Sequence, residues 1–194
     1  MSGPAETVAA RAYSLDVLDD LLGPDLDVLF CGINPGLLSE ARGQHFARPG
    51  NRFWPALHLS GFTPRLLKPD EQHLLPLYGL GITNIVARPS ATAAELTPQE
   101  LREGAVRLTE LVARTRPKAL AVLGISAYRT GFARPKAVIG PQDELVGGAR
   151  VWALPNPSGL NAHWSLDRIA DQLAQLRSAL SLPSRSGEDA GGGG

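Results

Sequence analysis

An apolar run that breaks at a tight polar turn constrains this chain most: Asp27-Val-Leu-Phe-Cys-Gly32 leads directly into Ile33-Asn-Pro-Gly36. A short apolar segment bounded by turn residues fits a strand buried on both faces. Strands of that kind belong to parallel sheets covered by helices on both sides. In open α/β sheets ligands bind beyond the carboxyl ends of the strands, which is where this turn holds Asn34. A second run, Val151-Trp-Ala-Leu154, is followed by Asn156-Pro-Ser-Gly-Leu160. Two strands ending in Asn-Pro turns form two walls of one site.

The remaining segments alternate between helix and strand. Leu15, Leu18, Leu21 and Leu22 mark one face of a helix over 11–22. Residues 34–51 hold Pro35, Gly36, Gly43, Pro49 and Gly50, and so long a loop inside a compact domain is usually functional. Helices follow at 52–59 and 69–77, and a strand at 81–86. Thr97-Pro98-Gln99-Glu100 is a strong helix start, with Thr at the N-cap, Pro at the first helical position and Glu three after the cap. That helix runs to about Arg116 and stops at Pro117. A strand at 118–123, a short helix at 125–132, a Gly-rich hairpin region at 137–150 and a last helix from the Ser165 cap to about Leu180 complete the chain. The pattern predicts a three-layer α/β/α domain over 11–182, with a central, mostly parallel sheet of about four to five strands. Residues 1–10 and the Ser-, Gly- and acid-rich tail 183–194 are expected to be disordered.

Composition narrows the function classes. A length of 194 residues fits one domain with a sizeable core. No segment is long or apolar enough to span a membrane, and the N-terminus lacks a charged start followed by an apolar core, so the expected compartment is the cytoplasm. The one cysteine, Cys31, excludes an internal disulfide and thiolate metal clusters; it is either a nucleophile or a buried structural thiol. His45, His58, His73 and His163 show no metal-ligand spacing and read as structural or surface residues. No metal and no cofactor is expected, since P-loop and Gly-x-Gly-x-x-Gly patterns are absent. Net charge is zero, so no global field draws the chain to nucleic acid. Locally, Arg42, Arg48, Arg52 and Arg65 face only Glu40 in sequence, and Arg129, Arg134 and Lys136 have no acid nearby. These groups are either a basic face or an ordinary solvated surface.

Asn34 is a neutral amide and cannot serve as a general base. It can orient a water, which suffices where the transition state is already dissociative, as in glycosidic hydrolysis; Asn-Pro-Gly is equally an ordinary turn. Phe46 in the long loop either stacks on a base or packs inward. Leu160 either wedges into a duplex beside an extruded nucleotide or joins the core.

Three stretches together, Phe30-Cys-Gly-Ile-Asn-Pro-Gly36, Phe46-Ala-Arg-Pro-Gly-Asn-Arg-Phe-Trp54 and Leu154-Pro-Asn-Pro-Ser-Gly-Leu160, resemble the mismatch-specific uracil-DNA glycosylases. These are bacterial relatives of thymine-DNA glycosylase and form family 2 of the uracil-DNA glycosylase superfamily. Gly81-Ile-Thr-Asn-Ile-Val86 with Arg88-Pro89 fits the same pattern, and the similarity spans roughly 12–181. The resemblance implies that Asn34 positions the hydrolytic water, that the Ile33 backbone helps hold water and base, and that Phe46 stacks on the extruded pyrimidine. It places Ser39 near the base, Asn156 beside the pocket and DNA backbone, and Gly159 and Leu160 in the intercalating segment. Asn84 lies where relatives differ, near the active site. After Leu160 the chain reads Asn161-Ala162-His163-Trp164 where some relatives carry a wedge arginine, so Asn161 or His163 takes that place.

The function so implied is monofunctional excision of uracil, and of thymine or modified pyrimidines, opposite guanine in base excision repair. The partner is double-stranded DNA with G·U or G·T mispairs, bound by a monomer. A non-catalytic module binding mismatched or damaged DNA is the alternative. A carboxylate at position 34 could activate water and offset sugar charge, so Asn34→Asp is expected to keep or raise activity wherever the pocket tolerates it.

Overall fold

The computed structural model describes residues 18–186. Five strands form one sheet: β1 (Val28–Gly32), β2 (Leu80–Asn84), β3 (Ala119–Leu123), β4 (Gly140–Val146) and β5 (Ala149–Leu154), in the order β2-β1-β3-β5-β4. The pairs β1/β2, β1/β3 and β3/β5 are parallel, and β4 joins β5 as an antiparallel edge strand. This is the mostly parallel three-layer α/β/α architecture expected from the sequence.

Burial explains the apolar runs. All five residues of β1 and of β3 are buried. Alternate side chains feed two cores. Val28, Phe30, Ala119, Ala121, Trp152 and Leu154 point to one face, which is covered by α2 (Phe53–Leu59), α5 (Leu166–Ala179) and a 3-10 segment at Pro69–Tyr78. Leu29, Cys31, Leu120, Val122, Val151 and Ala153 point to the other, beneath α3 (Pro98–Thr115) and α4 (Ile125–Gly131). Phe30 anchors the first core, with Phe53 and Phe62 edge-on to its ring at 5.4 and 5.7 Å. Cys31 is fully buried, and burial pushes its thiol well up. It is therefore a structural thiol rather than a nucleophile.

The helix starts follow the capping chemistry. Thr97 Oγ1 accepts from Glu100 N at 3.2 Å while Glu100 Oε2 accepts from Thr97 N at 2.8 Å. Ser165 Oγ accepts from Arg168 N at 3.3 Å. Two local expectations are corrected. The loop 34–51 contains a helix, α1 (Leu37–Arg42), which ends at Gly43 in the left-handed region at φ 62°. The helix expected over 11–22 does not include its last residues. Leu21 instead pairs with Ile82 as an antiparallel bridge on the free edge of β2, because an unpaired strand edge next to the chain offers better backbone partners than a short helix end. Residues 11–17 of that segment lie outside the described residues, as do 1–10 and 187–194. At the other end, the Arg185 backbone N–H donates to Gly61 O at 2.8 Å.

Removing the cap at α3 tests this account of its start. Thr97→Ala should destabilise the protein by about 1 kcal/mol, read as a lower urea midpoint with an unchanged slope.

Candidate active site

The parallel strands β1, β2, β3 and β5 end on one side of the sheet. Their order reverses at β1, since the chain moves from β1 out to β2 and then returns to the far side of β1 for β3. The crevice at such a switch point is the usual ligand site of an open α/β sheet. A cleft of about 590 Å³ opens there. Ile33, Asn34, Ser39, Phe46, Asn84, Asn156, Leu160, Asn161 and His163 all line it, and Gly159 lies beside it in the same turn. Residues spread over 130 positions of sequence thus share one cleft because three strands end at one sheet edge.

Asn34 is fixed by its own amide. Nδ2 donates to Arg88 O at 2.9 Å and to Ser90 Oγ at 2.7 Å, and Ser90 Oγ in turn donates to Thr92 O at 2.7 Å. Both amide hydrogens are used, so Oδ1 is the group left to accept from something in the cleft. The surrounding backbone is laced to the same segment: Ile85 N donates to Gly32 O and Val86 N to Ile33 O, each at 2.9 Å, and Ser90 N donates to Pro35 O at 3.1 Å. Arg88 is tied in turn to Glu100 at 2.8 Å. This arrangement alters the expectation for Asn34→Asp. A carboxylate oxygen in the place of Nδ2 would face the Arg88 carbonyl at hydrogen-bond distance with no proton between them.

Phe46 stacks on Phe53, with centroids 4.2 Å apart, and its backbone takes the left-handed region at φ 53°. That conformation is costly for a bulky residue and persists only where its surroundings impose it. Here Ala47 N donates to the buried Ser39 Oγ at 3.1 Å, and the flanking His45 is held at both backbone and ring. Ser39 therefore ties α1 to the loop that carries Phe46. Gly32 lies at the floor of the cleft, where a Cβ would fall 2.6 Å from Asn84 Oδ1 and displace that side chain.

On the opposite wall, Leu160 is 65% exposed, so it does not belong to the core. Asn156 Oδ1 accepts from Ser158 N at 3.0 Å, as in an ordinary Asx turn, and its carbonyl accepts from Asn161 Nδ2 at 3.0 Å. The Asn161 side chain is thus spent inside the turn. His163 is exposed, and its backbone carbonyl accepts from Arg168 Nη1 at 3.0 Å.

The basic groups of the sequence divide differently in space. Arg65 pairs with Glu71 at 2.7 Å, and Arg134 pairs with Glu144, an acid that lies ten residues away in sequence. Arg52 turns inward. Arg48 stays exposed on the cleft rim. Sequence reasoning did not single out Ser90, the Arg88 carbonyl or Arg52 as site residues, since each acts through a contact with a distant segment. Gly43 was the one available signal for α1.

The family model of the uracil DNA glycosylase superfamily matches residues 20–179. The chain belongs to the uracil DNA glycosylase superfamily. Membership makes DNA the partner and glycosylase hydrolysis the class of chemistry. The fold is shared with a protein from Methanosarcina acetivorans whose solution NMR structure was determined as a candidate uracil DNA glycosylase. The TM-score is 0.57 at 17% identity, over 84% of this chain and 96% of that one.

One buried titrating group, His45, is among the residues that line the cleft. His45 Nε2 lies 2.9 Å from Asp19 O, and since a carbonyl only accepts, Nε2 carries the proton. Burial lowers the His45 pKa from its ordinary 6.5, against the opposing pull of the Asp19 carbonyl and the Asp20 carboxylate. Asp20 is itself pushed up by burial and accepts from Thr83 Oγ1 at 2.6 Å. Because the folded value of His45 lies below the unfolded one, its contribution to stability is present above pH 6.5 and declines as the pH falls through that value. Asp20, raised by burial, works in the opposite sense: its contribution is present at low pH and is lost as the pH rises. Melting temperature should therefore fall between pH 7 and 5, and His45→Gln should flatten that fall.

Proposed function

We propose that this protein is a monofunctional DNA glycosylase that excises uracil, and thymine less readily, from mispairs with guanine, leaving an abasic site. The observation that carries this reading is the fixed amide of Asn34. With Nδ2 committed to Arg88 O and Ser90 Oγ, Oδ1 is left as the acceptor of a residue that lines the cleft together with Phe46. An acceptor without basicity suits a reaction in which the leaving group departs first and the water arrives late.

The steps follow from the residues. A wobble mispair opens at lower cost than a Watson–Crick pair, and extruding its nucleotide costs a few kcal/mol. Leu160, exposed at the rim, fills the vacated stack. The extruded pyrimidine lies against Phe46, and Ser39, Asn84 and Asn156 bound its pocket. The C1′–N1 bond then breaks toward an oxocarbenium-like sugar, with the bonding pair leaving on the base. A water that donates a hydrogen bond to Asn34 Oδ1 adds to C1′, and the proton it releases passes through solvent to the departed pyrimidine anion. With an amide rather than a carboxylate at position 34, little negative charge faces the cationic sugar, so turnover is slow. Beside Leu160, His163 is the exposed polar side chain on the turn that can meet the DNA, since Asn161 is occupied by Asn156.

Single-turnover cleavage of duplexes carrying G·U, G·T and A·U tests the reading. Asn34→Ala should reduce excision from G·U by about 10²-fold or more, the scale of a lost transition-state contact. Asn34→Asp should fall with it because of the Arg88 carbonyl. Excision from G·U that does not depend on Asn34 would remove the proposal. Binding without excision by the wild type would make the protein a mismatch-binding module. For the wedge, Leu160→Ala should weaken binding to abasic product more than binding to undamaged duplex. Equal losses would leave Leu160 without that role.

A further inference from the structure

Two parts of the cleft that come from distant stretches of sequence are joined by one side chain. Arg52 directly precedes α2. Its backbone N–H donates to Pro157 O at 2.9 Å. Its guanidinium donates to the carbonyls of Ser158, Asn161 (2.7 Å) and Trp164. All four acceptors are main-chain oxygens of the turn that presents Leu160. On the same seam, Gly159 lies so close to Gly50 that a Cβ would fall 2.7 Å from its carbonyl oxygen. On the other side, Asn51 Oδ1 accepts from Phe53 N at 2.9 Å, and Phe53 carries the Phe46 ring on its face. Arg52 thus stands between the ring at one wall and the exposed leucine at the other.

Its chemistry suits a fastening rather than a DNA contact. The guanidinium is a rigid fork whose several donors reach several carbonyls at once, which a single ammonium cannot reproduce. Those donors point into the protein. Nε is buried without a partner among the described residues, so the three carbonyl bonds must offset the desolvation of this cation.

We propose that Arg52 is a positioning residue that couples the Leu160 turn to the Phe46 platform, so that filling of the stack and capture of the extruded base occur as one event. The inference rests on the glycosylase reading. With the turn already ordered, inserting Leu160 costs little conformational entropy at the moment of DNA encounter. With the turn released, the leucine still exists but no longer stands at a fixed offset from the platform, and the flipped state loses its support.

A purely structural arginine and a coupling arginine differ in what they do to an already unpaired target. Single-turnover excision would be measured for wild type, Arg52→Ala, Arg52→Lys and Gly159→Ala on two duplexes, one with uracil opposite guanine and one with uracil opposite an abasic site. Melting temperatures would be recorded alongside. Arg52→Ala should lose about 10²-fold on the G·U duplex, the scale of a catalytic geometry displaced by about 1 Å. It should lose about tenfold less where no base pair has to be opened. Arg52→Lys should not restore the G·U rate. Gly159→Ala keeps the guanidinium but forces the turn away from Gly50, and should show the same split; it decides the matter alone if Arg52→Ala does not fold. Equal losses on both duplexes, or no loss on either, overturn the coupling. A wild type inactive on both duplexes would overturn the glycosylase reading itself.

Discussion

Strand β1 is paired on both edges, with β2 on one side and β3 on the other, and the turn that carries Asn34 hangs from its end. Its five residues are buried, and the two cores are built from its alternating side chains. The pairing does not stop where the strand does. Gly32, Ile33 and Pro35 continue to accept from Ile85, Val86 and Ser90, so the turn after β1 is held as firmly as the strand. An amide that orients a water, the role proposed for Asn34, is useful only at a fixed place and angle, and a doubly paired strand supplies that place.

The rigidity of Asn34 has a traceable origin. Thr97 and Glu100 cap α3, Glu100 holds Arg88, and the Arg88 carbonyl holds the Asn34 amide. An exposed ion pair such as Arg88–Glu100 contributes little to stability by itself. Its place in this series lies in orientation, since it fixes a backbone carbonyl that faces the site. Neutral groups dominate throughout: amide, hydroxyl, phenyl and main-chain carbonyl. Such a cleft suits the proposed reaction, in which the position of the groups matters more than a proton donor tuned to pH 7.

The sequence displayed the frame clearly because the frame is local. Continuous apolar runs marked β1, β3 and β5, and the Thr97 and Ser165 caps marked α3 and α5 to within a residue or two. Asn34, Phe46 and Leu160 stood out because each interrupts its own local pattern. What remained hidden was non-local. Helix α1 is six residues long, too short for periodicity to register. The bridge from Leu21 to Ile82 depends on an unpaired edge 60 residues away. The basic clusters looked like surface charge because Glu144 reaches Arg134 only through the fold, and Arg52 looked like its neighbours although its partners lie more than 100 residues downstream.

Several of the fastenings around the cleft have a side chain at one end and a main-chain oxygen at the other. Arg52 grips the carbonyls of Ser158, Asn161 and Trp164, Asn34 grips that of Arg88, and Trp54 Nε1 donates to that of His45 at 3.1 Å. Every residue type offers that oxygen. The accepting positions are thus free to drift through many amino acids while the fastening persists, and only the donor end leaves a trace that alignment could detect. Substitution at those positions therefore erodes sequence resemblance faster than it erodes the architecture of the cleft.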